Sequence, residues 1–125
     1  MPVTGDYDAP VTSDCLFCKI VAGEIPSTVV AETDQTLAFR DINPQAPTHV
    51  IVITKAHHTD ALSLAEADPA LAGTLLAAAG AVARSEGVAE SGYRLVFNTG
   101  PQAGQTVLHV HCHVLGGRLM TWPPG

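Results

Sequence analysis

The chain has 125 residues, of which 46% are hydrophobic and 14% charged, with a formal net charge of −6. That length and composition fit one folded domain with its own core and exclude a disordered chain. Six Lys and Arg spread through an acidic chain cannot neutralise a phosphate backbone, which excludes general nucleic-acid binding but not a small phosphate ligand held by backbone amides and neutral imidazoles.

Residues 1–14 contain no basic residue and no apolar run, so they read as a flexible tail and not as a secretory signal, leaving a domain over 15–125. Ser13 and Asp14 are placed to cap a short helix over 15–22, which Gly23 and Pro26 would end. STVVAE (27–32) and TLAFRD (36–41) read as strands joined by a turn at 33–34, and the prolines of DINPQAP (41–47) fix a loop. THVIVIT (48–54) is a β-branched run suited to a central strand. Asp68 before Pro69 marks the start of a long helix with Leu71, Leu75, Ala78 and Val82 on one face, stopped by Gly87. Its apolar stretch, 69–83, is too short and alanine-rich for a bilayer span, so no membrane partner is expected. GYRLVFN (92–98) alternates as a strand, GPQAG (100–104) is a turn, and QTVLHVHCHVLGG (105–117) is the last strand. The result is an α+β domain: a mainly antiparallel five-stranded sheet with one short and one long helix.

The chemistry concentrates in HVHCHV (109–114). On a strand, His109, His111 and His113 share one face, while Val110, Cys112 and Val114 face the core. One such histidine would be an ordinary outward polar residue, but three in strict alternation are not explained that way. A mononuclear metal site using all three is hard to build on a straight strand, because the ligands span too far to converge without a kink. Nucleophilic catalysis fits better: one imidazole attacks, its other nitrogen fixes the tautomer, and neighbouring groups stabilise charge on the substrate. The preceding Gly100, Gly104, Gln105 and Thr106 could present amides and a hydroxyl to a phosphate. Cys15 and Cys18 form a CxxC whose sulfurs can share one face of a helical turn; half a metal site, a redox pair and two buried small residues all remain open. Three cysteines in all suit a cytoplasmic protein better than a disulfide framework.

The motif His109-Val110-His111-Cys112-His113-Val114-Leu115 resembles the signature of the histidine triad (HIT) family, and the resemblance runs from Cys15 to the C-terminus. The segments 17–53 and 109–125, ending in WPPG, look like the Hint branch, the purine nucleoside phosphoramidases. The resemblance implies a hydrolase or nucleotidyl transferase that cleaves nucleoside 5′-phosphoramidates or related compounds to nucleoside monophosphate. His111 would be the nucleophile, His49 would orient the site, and His113 and Thr106 would assist. Asn98, Gly104, Gln105 and Thr106 would contact phosphate and Asp41 the ribose, with Leu16, Phe17, Phe39 and Ile42 walling the base. Trp122 would act across a homodimer whose sheet continues from one subunit to the other. The Hint branch usually has Ser where this chain has Thr106; the hydroxyl is kept on a stiffer side chain. A structural zinc ion on Cys15, Cys18, His57 and His109 is also implied, with His58 the competitor of His57, while the chemistry itself needs no metal. A nucleotide-binding or partner-docking module with little turnover is the competing function.

Overall fold

A computed structural model describes residues 14–125. The tail expected over 1–14 therefore lies outside the described residues except for Asp14, as does Ser13, one of the two expected helix caps. The elements are α1 (Leu16–Val21), β1 (Val29–Glu32), β2 (Thr36–Arg40), β3 (Thr48–Thr54), α2 (Ala61–Ala67), α3 (Pro69–Ser85), β4 (Tyr93–Val96) and β5 (His111–Gly116), with a single 3-10 turn at Pro101–Ala103. The five strands form one sheet in the order β1-β2-β3-β5-β4, and every neighbouring pair is antiparallel.

The sheet has two unlike faces. One face presents Ala38, Val50, Val52, Cys112 and Val114 to Leu64 of α2 and to Leu71, Leu75, Ala79, Val82 and Ala83 of α3, which together make the main core. The other face presents Leu37, Phe39, Ile51 and Ile53 to Phe17 and Cys18 of α1. β3 is thus buried along its whole length, which explains why it reads as an unbroken β-branched run with no polar alternation. α1 is short and covers only part of its face, and the cleft that remains holds the site.

Local sequence chemistry accounts for the helix ends. α3 starts at Pro69, with the Asp68 carboxylate accepting from the Leu71 amide at 3.1 Å. It ends as Gly87 takes a left-handed conformation (φ 78°), so that the Val88 and Gly87 amides reach the carbonyls of Ala83 and Arg84. Ala79 and Ala83 are fully buried on the helix face, and the expected Ala78 sits at its margin. A bidentate ion pair from Arg40 to Glu86, at 2.8 and 3.0 Å, ties the end of β2 to the end of α3.

Three expectations need correction. A second short helix, α2, follows β3 and is capped by Asp60, whose carboxylate accepts from the Ser63 amide at 2.9 Å. α1 is capped not by Asp14 but by Cys15, whose sulfur accepts from the Cys18 amide at 3.3 Å. The last strand begins at His111 and not at 105, because the Val110 amide leaves the sheet to donate to the His58 carbonyl at 2.7 Å, and the chain bends over 107–109. His109 is consequently off the strand that carries His111 and His113. Among the described residues, no helix is long and apolar enough to cross a membrane.

Candidate active site and metal cluster

The partly covered face of the sheet holds a cavity of about 400 Å³. Its walls include Leu16, Phe17, Phe39, Asp41, Ile42, Thr106, His111 and His113, all expected from the sequence, together with Ile20, Ile25, Pro26, Ser27, Arg40, Ile51 and Val107, which were not. Ile20 comes from α1, Ile25, Pro26 and Ser27 from the α1–β1 connection, Arg40 from β2, Ile51 from β3 and Val107 from the segment before β5, and only the apolar character of Ile20, Ile25 and Ile51 could have suggested any of them. Phe17 sets its ring edge-on to both Phe39 and His111, with centroids at 5.5 and 5.0 Å.

The imidazole hydrogen bonds can be assigned from their backbone partners, since a carbonyl only accepts and an amide only donates. His111 Nδ1 lies 2.7 Å from the His109 carbonyl, so Nδ1 carries the proton and Nε2 keeps its lone pair. The Gln45 amide donates to His49 Nδ1 at 3.0 Å, so His49 carries its proton on Nε2. That proton points to His113 Nδ1 at 2.9 Å, which leaves the proton of neutral His113 on its Nε2. Asp41 stands beside this pair, 3.4 Å from His49 Nε2, with its other oxygen accepting from the Asn43 amide at 2.8 Å. The outcome is a lone pair on His111 and an N–H on His113, two neighbouring imidazoles on one wall with ring centroids 5.1 Å apart. Burial lowers the pKa of His111 and of His49; it pushes His113 down to about 4, helped by the neighbouring His111 and His49 and opposed by Asp41. The imidazoles are therefore neutral at pH 7.

A second cluster lies behind His111. Cys15, Cys18, His57 and His109 bring one ligand atom each within 4.8 Å of one another. His109 is fully buried, and its Nε2 donates to the Thr54 carbonyl at 2.7 Å, which turns a lone pair on Nδ1 toward the cluster. From His109 Nδ1 the distances are 3.4 Å to Cys15 Sγ, 3.6 Å to Cys18 Sγ and 3.2 Å to His57 Nδ1, and Cys18 Sγ lies 3.3 Å from His57 Nδ1. A tetrahedral ion with metal–N near 2.0–2.1 Å and metal–S near 2.3 Å requires edges of about 3.3 Å between nitrogens and about 3.6 Å between nitrogen and sulfur. The donor set and spacing fit such an ion. His58 is not in the cluster; its carbonyl instead holds the Val110 amide. Asp41, His49 and His113 also lie close enough for a cation, but the proton that Gln45 forces onto His49 Nε2 already fills the space between them.

Other expected site residues lie outside the cavity wall. Asn98 follows β4 and is half-buried, and Gly104 is in a left-handed turn (φ 83°). Gln105, expected to contact phosphate, has its side-chain amide engaged by backbone groups. Its Oε1 accepts from the Gly100 amide at 3.0 Å, and its Nε2 donates to the Thr59 and Val107 carbonyls at 2.7 and 3.2 Å. Trp122 is 82% exposed and is not part of this chain's cavity. Cys112 is fully buried in the main core, with its thiol pushed up to about 12 by burial, and takes no part in the site.

Known proteins share this arrangement of chain and fold. The family described as HIT domain matches residues 22–120. A 14 kDa zinc-binding protein of Zea mays is 53% identical, covering 90% of this chain and 89% of its own. The adenylylsulfatase HINT1 of Arabidopsis thaliana is 49% identical, covering 93% of this chain and 80% of its own. The crystal structure of a HIT family hydrolase from Legionella pneumophila superposes with a TM-score of 0.86 at 54% identity, covering 90% of this chain and all of the other.

Proposed function

The chain belongs to the HIT family, and from that premise we propose that it is a nucleotide hydrolase that cleaves nucleoside 5′-phosphoramidates, and related compounds with a leaving group on the α-phosphorus, through a nucleotidyl intermediate on His111. The observation that carries this reading is the assignment of tautomers: the His109 carbonyl holds the Nδ1 proton of His111, so the nitrogen with the lone pair is Nε2, on a residue of the cavity wall.

In the bound complex the base packs between Leu16, Phe17, Phe39 and Ile42, preferably as a purine, and Asp41 accepts from the ribose hydroxyls. Thr106 and the 98–105 loop lie on the phosphate side. The substrate phosphate brings a negative charge to His113, opposes the burial that keeps it neutral, and draws a proton onto its Nδ1, the His49 Nε2–H turning from that atom to the Asp41 carboxylate 3.4 Å away. His111 Nε2 then attacks phosphorus, the P–N bond breaks, and His113 Nε2 gives its proton to the departing amine. The positive charge that develops on His111 is stabilised at Nδ1 by the His109 carbonyl. In the second half, neutral His113 takes a proton from water, the hydroxyl bonds to phosphorus, the N–P bond breaks, and nucleoside monophosphate leaves as His113 returns its extra proton to solvent, so that both histidines are restored. No step requires a metal. Two cysteines and two histidines at tetrahedral spacing favour zinc, whose contribution would be structural. The names of the maize and Arabidopsis relatives support the metal and the nucleotide, respectively. A homodimer that continues the sheet belongs to the same reading, with the 82%-exposed Trp122 reaching the partner's cavity.

The test is incubation with adenosine 5′-phosphoramidate and quantification of AMP. Wild type is expected to turn over and His111→Ala to lose activity. Full activity in His111→Ala would refute the intermediate, and tight AMP binding with no turnover of any α-phosphorus substrate would leave a binding module instead.

A further inference from the structure

We infer that metal binding at Cys15, Cys18, His57 and His109 organises the nucleotide cavity, so that metal and nucleotide bind with positive coupling and His109 is a positioning residue for His111. This rests on the nucleotide reading above only for the identity of the ligand.

Three physical links run from the cluster to the cavity. His109 points two ways: its ring Nδ1 faces the sulfurs of Cys15 and Cys18, while its carbonyl, 2.7 Å from His111 Nδ1, sets that residue's tautomer. Second, Leu16 and Phe17 lie between the two cysteines on the first turn of α1, so the backbone that presents both sulfurs to the cluster also presents both side chains to the cavity. Phe17 meets His109 and His111 together, with centroids at 6.0 and 5.0 Å. Third, the two residues after His57 anchor the segment leading to β5. The His58 carbonyl takes the Val110 amide at 2.7 Å, and the Thr59 carbonyl takes the Gln105 side chain at 2.7 Å.

The cluster thus joins three segments distant in sequence, 15–18, 57–59 and 105–111, and each also contributes to the cavity or holds it in place. A bond between segments removes more freedom from the chain the farther apart they are in sequence. With the metal bound, the His109 carbonyl and the Phe17 ring are fixed relative to each other, and nucleotide binding costs less ordering. Linkage requires the converse: bound nucleotide must tighten the metal by the same factor.

The experiment uses the full chain loaded with zinc, stripped by chelator, and loaded with cadmium-113. Calorimetry should show AMP binding about tenfold tighter to the loaded than to the stripped chain. Nitrogen-15 spectra of the histidine rings should show His111 as a single Nδ1–H tautomer when loaded and as an exchanging mixture when stripped. Circular dichroism establishes whether the stripped chain remains folded. If it unfolds, the cadmium-loaded chain decides the matter: AMP should shift the cadmium resonance and slow loss of the ion to a competing chelator by about tenfold. Identical His111 ring signals and AMP affinities in loaded and stripped folded chains would overturn the inference, as would a cadmium resonance and chelator kinetics indifferent to AMP. If AMP binds neither form, the nucleotide reading fails and the His111 ring signals alone decide the coupling. If AMP couples to the metal but His111→Ala retains turnover, only the nucleophile assignment fails.

Discussion

His49 makes two separable hydrogen bonds, and two substitutions can remove them one at a time. Its Nδ1 accepts from the Gln45 amide at 3.0 Å, and its Nε2 donates to His113 at 2.9 Å. Asn places an acceptor close to the Nδ1 position and nothing at Nε2, whereas Gln can place an amide N–H close to Nε2 and nothing at Nδ1. At 6% exposure the site admits little water to replace a lost partner. Each variant therefore strands one polar group and should lose about 1–3 kcal/mol of stability. Their activities should diverge. His49→Gln keeps the donor that fixes His113 with its proton toward the substrate, so kcat on adenosine 5′-phosphoramidate should remain within about tenfold of wild type. His49→Asn leaves His113 free to take the opposite tautomer and should lose most of the general-acid contribution, about 10²–10⁴ in kcat. An adenylyl sulfate offers an internal control, because sulfate departs without needing a proton and the two variants should then differ little. Steady-state kinetics on both substrates, with urea unfolding to confirm that both variants fold, measures every quantity. Equal losses on the phosphoramidate, or a more active His49→Asn, would refute the direction of the hydrogen bonds and with it the assignment of roles to His111 and His113.

Two further outcomes concern stability. A methyl group added at Gly116 would lie 2.9 Å from Val88 Cβ and Cγ1, so Gly116→Ala should destabilise by about 1–3 kcal/mol in urea; an unchanged midpoint would mean that the contact between β5 and the end of α3 yields freely. The folded chain holds His113 near 4 whereas an unfolded imidazole titrates near 6.5, so stability should be full above about pH 6.5 and fall as pH drops toward 4, where the unfolded chain takes up a proton that the folded one refuses. Urea midpoints at pH 7.5, 6 and 5 in wild type and in His113→Asn measure this; a wild type with no decline, or a variant declining as steeply, would contradict it.

Much of this structure is legible from short-range chemistry. β3 declares itself as a β-branched run because it is buried on both faces, and α3 because Asp68 and Pro69 cap it. The alternation of HCHV places His111 and His113 opposite Cys112 and Val114, as the core and the cavity require. What local pattern misses is decided at a distance. TVLHV has good strand propensity, yet the chain stays off the sheet until His111 because His58 holds the Val110 amide and Thr54 holds the His109 ring. The α1 cap went unread because sulfur is a rare capping acceptor, favoured at Cys15 by the turn that gathers both cysteines. α2 is one short amphipathic piece whose clearest signal, Asp60, stands next to a His-His-Thr segment that draws attention to chemistry instead. The tautomers have no signature at all, since they depend on the Gln45 amide and the His109 carbonyl, which any residue could supply.

The pairing of β3 with β5 sets Ile51 opposite His113 and Ile53 opposite His111. Alternation makes this register unforgiving: a slip of one position would turn both imidazoles into the helical layer and bring Cys112 and Val114 out to the cavity. Such a chain would keep its helices and most of its strand content. Ellipticity would count it as refolded, while a burst of substrate consumption would not count it at all. Because 54 and 111 lie far apart along the chain, this pairing must await the closure of a long loop that contains both α2 and α3. Recovery of function should therefore trail recovery of helix in time, and the gap between the two traces reports how long the molecule searches for its register.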